Sequence, residues 1–260
     1  CQADYLVLSD CDVILNIDLR QVIEEHIRSG AFLTVVTKQL GSVAHSFDSP
    51  VDVVRVGEDG DIEEITRVRS QRGACEVSTN VMVVRRSDLL AIISESLSHG
   101  YTSFSGDVIG RNLGRQRIRA YRYTGWYAHI DSLPSYFACS MELLTPEARA
   151  GLFQIADRQI YTKIRNSPPT KYAEDAVVKN SLVADGCMIE GQVENSILFR
   201  GVRIGRGSVV RNCILLQDTF VGSDVQLGCV ITDKNVVIKD GRTLSGHESM
   251  PFFIGKGLMV

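Results

Sequence analysis

Asn180-Ser181-Leu182-Val183, Asn195-Ser196-Ile197-Leu198, Asn212-Cys213-Ile214-Leu215 and Gly228-Cys229-Val230-Ile231 are four versions of one block, spaced by 15, 17 and 16 residues. Shorter units of the same kind sit between them, Ile204-Gly205-Arg206-Gly207-Ser208-Val209 and Val221-Gly222-Ser223-Asp224-Val225. An aliphatic residue followed by a small one, about every six residues, is the hexapeptide pattern of a parallel β-helix. Each coil then has three short strands, one inward aliphatic per strand and a small residue at each tight corner. No coil buries its own face, so several must stack. A β-sandwich would instead need alternating strands joined by hairpin turns. The pattern occupies 175–260, and the Pro168-Pro169 segment before it reads as an extended linker over 156–174.

Upstream, over 1–155, strand and helix signals alternate. Apolar runs at 4–8, 32–36, 81–84 and 118–123 read as strands. Gly57-Glu58-Asp59-Gly60 joins two further runs as a hairpin. Asp18 is placed to cap a helix carrying Leu19, Val22, Ile23 and Ile27, with Gly30 ending it. Ser87 is placed to cap a second, with Leu90, Ile93 and Leu97 on one face, and 133–144 reads as a third helix. The alternation implies an α/β domain with a mostly parallel, Rossmann-like sheet.

Composition narrows the function classes. With 44% hydrophobic residues in 260, the chain is globular rather than disordered. It has no apolar run of the roughly 18 residues a membrane helix needs. A net charge of -3 gives no basic field for nucleic acid. The seven cysteines contain no CxxC pair, which argues against a disulfide framework or zinc site and fits a reducing cytoplasm. Cys187, Cys213 and Cys229 read as small buried apolar residues. The start is unusual: Cys1-Gln2-Ala3-Asp4 enters the apolar run Tyr5-Leu6-Val7-Leu8 with no basic leader, as a chain entered partway through a fold.

Ligands of open α/β sheets bind beyond the carboxyl ends of strands, where Asp10-Cys11-Asp12 stands. A carboxylate there can hold Mg²⁺ against a nucleotide phosphate, or can simply make local turn hydrogen bonds. Phosphate chemistry also needs backbone amides and cations, and no Gly-rich loop with a basic residue precedes Asp12. His129 is placed to line the same pocket. Arg200, Arg203, Arg206 and Arg211 form either a solvated face of the coils or an anion or effector site.

These residues together resemble the ADP-glucose pyrophosphorylase (glucose-1-phosphate adenylyltransferase) family of bacterial glycogen synthesis, and within it the GlgD-type regulatory subunit. Tyr5-Leu6-Val7-Leu8-Ser9 is similar to the family's strand before its metal aspartate. Cys11-Asp12-Val13-Ile14 stands where the family has Gly-Asp-His-Ile. Ser103-Phe104-Ser105-Gly106-Asp107-Val108-Ile109 resembles Asp-Phe-Gly-Lys-Asp-Ile-Ile, and Gly125-Trp126-Tyr127 the family's Gly-Tyr-Trp segment. The resemblance implies a left-handed β-helix, Mg²⁺ at Asp12, sugar contacts at Ser78, Thr79 and Asn80, and Asp107 and His129 as further pocket residues. Apart from the resemblance, Arg203, Arg206 and Arg211 are the residues taken for the effector or anion site.

Departures from the pattern shape the functional expectation. In place of Phe-x-Glu-Lys-Pro this chain has Ile65-Thr66-Arg67-Val68-Arg69, so Arg67 replaces a glutamate and Val68 a lysine. His129 stands where the family has its second metal aspartate, and imidazole suits Mg²⁺ poorly. The family's N-terminal Gly-rich loop has no counterpart. The expectation is a truncated nucleotidyltransferase-like domain plus a β-helix, with an exposed apolar sheet edge. It would hold no metal itself and would act as a regulatory subunit paired with a catalytic homologue in a heterotetramer. Two alternatives are an active transferase with altered substrate use and a hexapeptide-repeat acyltransferase, for which His247 is the histidine near the coils.

Overall fold

The computed structural model describes residues 2–42 and 45–260, so Cys1 lies outside the described residues. The chain divides into two compact units, Cys1–His129 and Ile130–Val260. The first unit runs β1 (Tyr5–Ser9), β2 (Val13–Leu15), α1 (Leu19–Ser29), β3 (Leu33–Leu40), β4 (His45–Val56), β5 (Ile62–Gln71), β6 (Cys75–Arg85) and α2 (Arg86–His99). A π-helical turn at Phe104–Ile109 then leads into α3 (Gly110–Asn112), β7 (Ile118–Tyr123) and β8 (Tyr127–His129). The main sheet has the order β5-β4-β6-β3-β7, with β1 beside the end of β6. Among the described residues β1 has no second neighbour.

The α/β class expected from the sequence stands, and its sheet is mixed rather than mostly parallel. Among the described residues of this sheet, only β3 and β7 pair in parallel. The hairpin of β4 and β5 and the return of β6 between β4 and β3 make the remaining pairs antiparallel. Alternate side chains of a strand face opposite ways. Leu33, Val35, Met82 and Val84 pack with Ile92 of α2, whereas Val36, Val81 and Val83 pack with Val22 of α1. The two helices therefore cover opposite faces of the sheet.

Asp18 accepts a hydrogen bond from the Arg20 amide and Gly30, at φ 62°, ends α1, as the sequence implies. The second helix differs. It starts at Arg86, and its N-cap residue Arg85 makes no side-chain capping bond. Leu90, Ile93 and Leu97 are exposed, while Ile92 is buried and Leu89 half-buried against the sheet. β6 runs into α2 without a loop, and that junction fixes which face of the helix turns inward.

In the second unit, α4 (Leu133–Glu142) opens with a capping box between Ser132 and Ser135, and α5 (Pro146–Phe153) is capped by Thr145. A parallel β-solenoid follows, with three faces. One stacks β9 (Lys171–Tyr172), β12 (Met188–Ile189), β15 (Arg203–Ile204), β18 (Phe220–Val221) and β21 (Val237–Ile238). The second stacks β10 (Val177–Lys179), β13 (Gln192–Glu194), β16 (Val209–Arg211), β19 (Gln226–Gly228) and β22 (Thr243–Ser245). The third stacks β11 (Leu182–Val183), β14 (Ile197–Leu198), β17 (Ile214–Leu215), β20 (Val230–Thr232) and β23 (Phe252–Ile254). Phe137 of α4 is buried on Ile214 and Ile231 of the third face. For that reason the boundary between units falls before α4, ahead of the division at 155 read from the sequence.

The repeat has a backbone cause. Asn180, Asn195, Asn212 and Cys229 turn one corner in the left-handed region, at φ 40, 46, 50 and 51°. Asn visits that region more readily than other non-glycine residues, because its side chain can hydrogen-bond locally. The structure shifts the alignment of the fourth block by one residue. Gly228 pairs with Arg211, so Cys229 rather than Gly228 stands over Asn212. Inside, Val202, Val210, Leu215, Val221, Val225, Val236 and Ile238 are fully buried. Each contributes about 1.5–3 kcal/mol of hydrophobic stabilisation. Cys187 and Cys213 belong to the same core, and burial pushes the Cys213 thiol up to about 12, so it stays protonated. Among the described residues no helix is long and apolar enough to cross a membrane.

Candidate functional site

A cleft of about 610 Å³ opens beside the end of β1, between β4, β5 and the segment before the π-helical turn. Asp10, Asp52, Arg67 and Asn80 line it, with Thr102, Ser103, Phe104 and Ser105. Asn80 has φ 56°, and its amide N–H donates to Ser78 Oγ at 3.1 Å. This kink in β6 turns Asn80 Nδ2 toward Asp10 Oδ2, to which it donates at 2.8 Å. Of the three sugar-contact candidates, then, Asn80 reaches the cleft. Ser78 is buried behind it, and Thr79 is fully buried, donating to the Val36 carbonyl at 2.9 Å.

Val68, at the family's lysine position, is half-buried opposite Val51 and does not line the cleft. Its neighbour Arg67 does. Asp107 braces the backbone instead. Its Oδ2 accepts from the amides of Thr102 and Ser103, each at 3.0 Å. Those two hydrogen bonds hold its carboxyl below the usual aspartate range. Asp107 thereby shapes the segment that lines the cleft without lining it.

Asp12 and His129 meet each other, but neither lines the cleft. β2 pairs antiparallel with β8, Val13 opposite His129, and this sets His129 Nε2 3.2 Å from Asp12 Oδ2. The contact is an ion pair when the imidazole is protonated. Asp12 Oδ1 is buried with no hydrogen-bond partner. Mg²⁺ demands oxygen donors in near-octahedral array. Here one carboxylate faces an imidazole, and among the described residues no three His, Cys, Asp or Glu side chains gather to hold a metal. The donor set does not fit Mg²⁺.

The three arginines expected at an effector site lie apart. Arg203 projects from β15 beside Asp218 and Phe220, exposed Arg206 sits in a corner, and Arg211 on β16 pairs with Glu194 at 3.3 Å. A different set gathers in a cavity of about 470 Å³: Arg165, Arg200 and Lys234, with Ser167, Gln217 and Asp218. Arg200 Nε and Gln217 Oε1 are buried there without hydrogen-bond partners. Arg200, Gln217 and Lys234 each precede a left-handed corner residue in successive coils, and that spacing is the sequence signal for the cluster. His247 is exposed and held in a turn, its Nδ1 2.9 Å from Ser249 Oγ.

Residues 168–249 match the family described as GlmU-like, C-terminal hexapeptide. The chain is 32% identical over 255 residues to the glycogen biosynthesis protein GlgD of Bacillus subtilis, covering 98% of this chain and 63% of that protein. It is 36% identical over 253 residues to the GlgD of Geobacillus stearothermophilus, covering 97% of this chain and 63% of the relative. With the glucose-1-phosphate adenylyltransferase of Thermosipho africanus it shares 28% identity over 212 residues, 80% of this chain and 50% of that enzyme. The chain thus spans under two thirds of the length of each of these three relatives.

Proposed function

The chain is a relative of the glycogen biosynthesis protein GlgD and of the glucose-1-phosphate adenylyltransferases over nearly its whole length, and from that premise we propose that it is part of a regulatory subunit in glycogen biosynthesis. Its reaction context is the formation of ADP-glucose and pyrophosphate from ATP and glucose 1-phosphate. The observation that carries the reading is Asp12 facing His129 at 3.2 Å, an imidazole where the resemblance implies the second metal aspartate, with no group of three His, Cys, Asp or Glu side chains among the described residues placed to hold a metal. In this reading the chain holds no Mg²⁺ of its own, works in the cytoplasm, and pairs with a catalytic homologue in a heterotetramer. The cavity of Arg165, Arg200 and Lys234 then supplies the anion-responsive site, in place of Arg203, Arg206 and Arg211.

Co-expression with a catalytic homologue tests this, followed by size analysis and kinetics with and without the chain. The expected result is a mixed assembly with altered turnover or effector response. Failure to associate, with unchanged kinetics, sinks the reading. So does pyrophosphate production from ATP and glucose 1-phosphate by the chain alone, abolished by Asp12→Ala. That outcome would instead support an active transferase, in which the unpartnered Asp12 Oδ1 would have a ligand to meet.

A further inference from the structure

A cavity of about 390 Å³ lies within the second unit, where α4 faces one corner of the coils. Ala138, Met141 and Leu144 give it an apolar side. The corner residues Asn180, Asn195 and Asn212 form the other, with exposed Glu248 beside them. The backbone stacks the three corners in register: the Asn195 amide donates to the Lys179 carbonyl, and the Asn212 amide to the Glu194 carbonyl. Adjacent strands lie about 4.7–4.9 Å apart, so the side-chain amides stand one such step from each other. Asn180 Nδ2 is engaged by Asn195 Oδ1. Asn180 Oδ1, Asn195 Nδ2, Asn212 Oδ1 and the Glu248 carboxylate have no hydrogen-bond partner among the described residues. No described lysine, arginine or histidine lines the cavity. An apolar wall facing a few convergent polar groups, in a space of this size, is the form of a small-molecule site.

We propose that this cavity binds a neutral sugar, with the C–H face of the ring on Ala138, Met141 and Leu144 and its hydroxyls on the asparagine amides and Glu248. Charge decides against a phosphorylated ligand. No cation is there to pair with a phosphate, and the Glu248 carboxylate repels one. A hydroxyl both donates and accepts, so ring hydroxyls match amide oxygens, an amide N–H and a carboxylate together. They also project around the rim of the ring, which suits partners set one coil apart. A flat heteroaromatic base carries its donors and acceptors side by side on one edge and meets a single amide of the column. The cavity shares no residue with the cleft beside β1, and the proposal does not depend on the regulatory reading.

Titration of the isotope-labelled 260-residue chain with maltose, glucose 1-phosphate and adenosine tests the proposal, read by the side-chain amide resonances of Asn195 and Asn212. These signals report on the cavity itself, whatever else the chain binds. Maltose is expected to shift them, and glucose 1-phosphate and adenosine to leave them in place. Glu248→Gln, at an exposed position, should weaken maltose about fivefold, the difference between a hydrogen bond to a charged and to a neutral partner. Ala138→Trp, on the exposed side of α4, fills the cavity and should abolish the maltose shifts. Resonances that maltose does not move in the wild-type chain overturn the proposal. Undiminished maltose binding by an Ala138→Trp chain with native circular dichroism overturns it as well. Larger shifts with adenosine than with maltose would replace the sugar by a flat heteroaromatic ligand, and larger shifts with glucose 1-phosphate would refute the argument from charge.

Discussion

Cys229 takes the left-handed corner that asparagine takes in the three coils before it. An L-residue with an ordinary Cβ is strained there by roughly 1–2 kcal/mol, which asparagine partly escapes. Asn180 Nδ2 also donates to Asn195 Oδ1 at 2.7 Å, so two of these corner amides are joined. Cys229→Asn should relieve the corner strain and stabilise the second unit by about 1 kcal/mol, read as a rise of a few degrees in melting temperature. An unchanged or lower melting temperature would mean that the thiol packs better than an amide at this corner. At the same scale the site was half legible. The contact of Asp12 with His129 follows from their places after β1 and in β8. The apposition of Asp52 and Arg67 does not, because the register of β4 against β5 shifts between Ser46 and Val51 and again between Arg55 and Val56. No periodicity in the sequence records such shifts.

Elements differ in how much of their environment they carry. α2 holds two overlapping apolar stripes, Leu89 with Ile92 and Leu90 with Ile93 and Leu97, and helical spacing alone does not choose between them. The direct junction with β6 chooses. The coils are legible for the opposite reason: most corners take a left-handed residue and most strands an inward aliphatic, so backbone and core impose the same period. α4 shows what lies between these cases. Its capping box is readable, but its docking on the third face of the solenoid depends on where Ile214 and Ile231 align. Phe137→Ala removes the ring buried between them. The expected cost is about 3–5 kcal/mol, measured by denaturant unfolding of the second unit. A loss below about 1 kcal/mol would show that α4 is held by other contacts.

At the scale of the molecule, each unit has its own hydrophobic core: the sheet layers in one, the solenoid interior and the α4 seam in the other. Separate cores of this kind unfold as separate cooperative blocks. Calorimetry should therefore resolve two transitions, with Phe137→Ala lowering one and leaving the other in place. A single transition that shifts as a whole would contradict this. The organisation into an α/β unit and a β-solenoid was legible because each has its own period. The point of division was not, since it depends on long-range packing of α4. One detail of the coils carries beyond stability. β12 reaches β13 through two residues, Glu190 and Gly191, whereas the same corner in the later coils spends four, 205–208, 222–225 and 239–242. Strand register is kept across this change in length, so that corner is where the chain tolerates editing. A graft placed between Arg206 and Gly207 would be displayed on an undisturbed scaffold. The same graft inside β15 or β16 would move every aliphatic after it out of the interior.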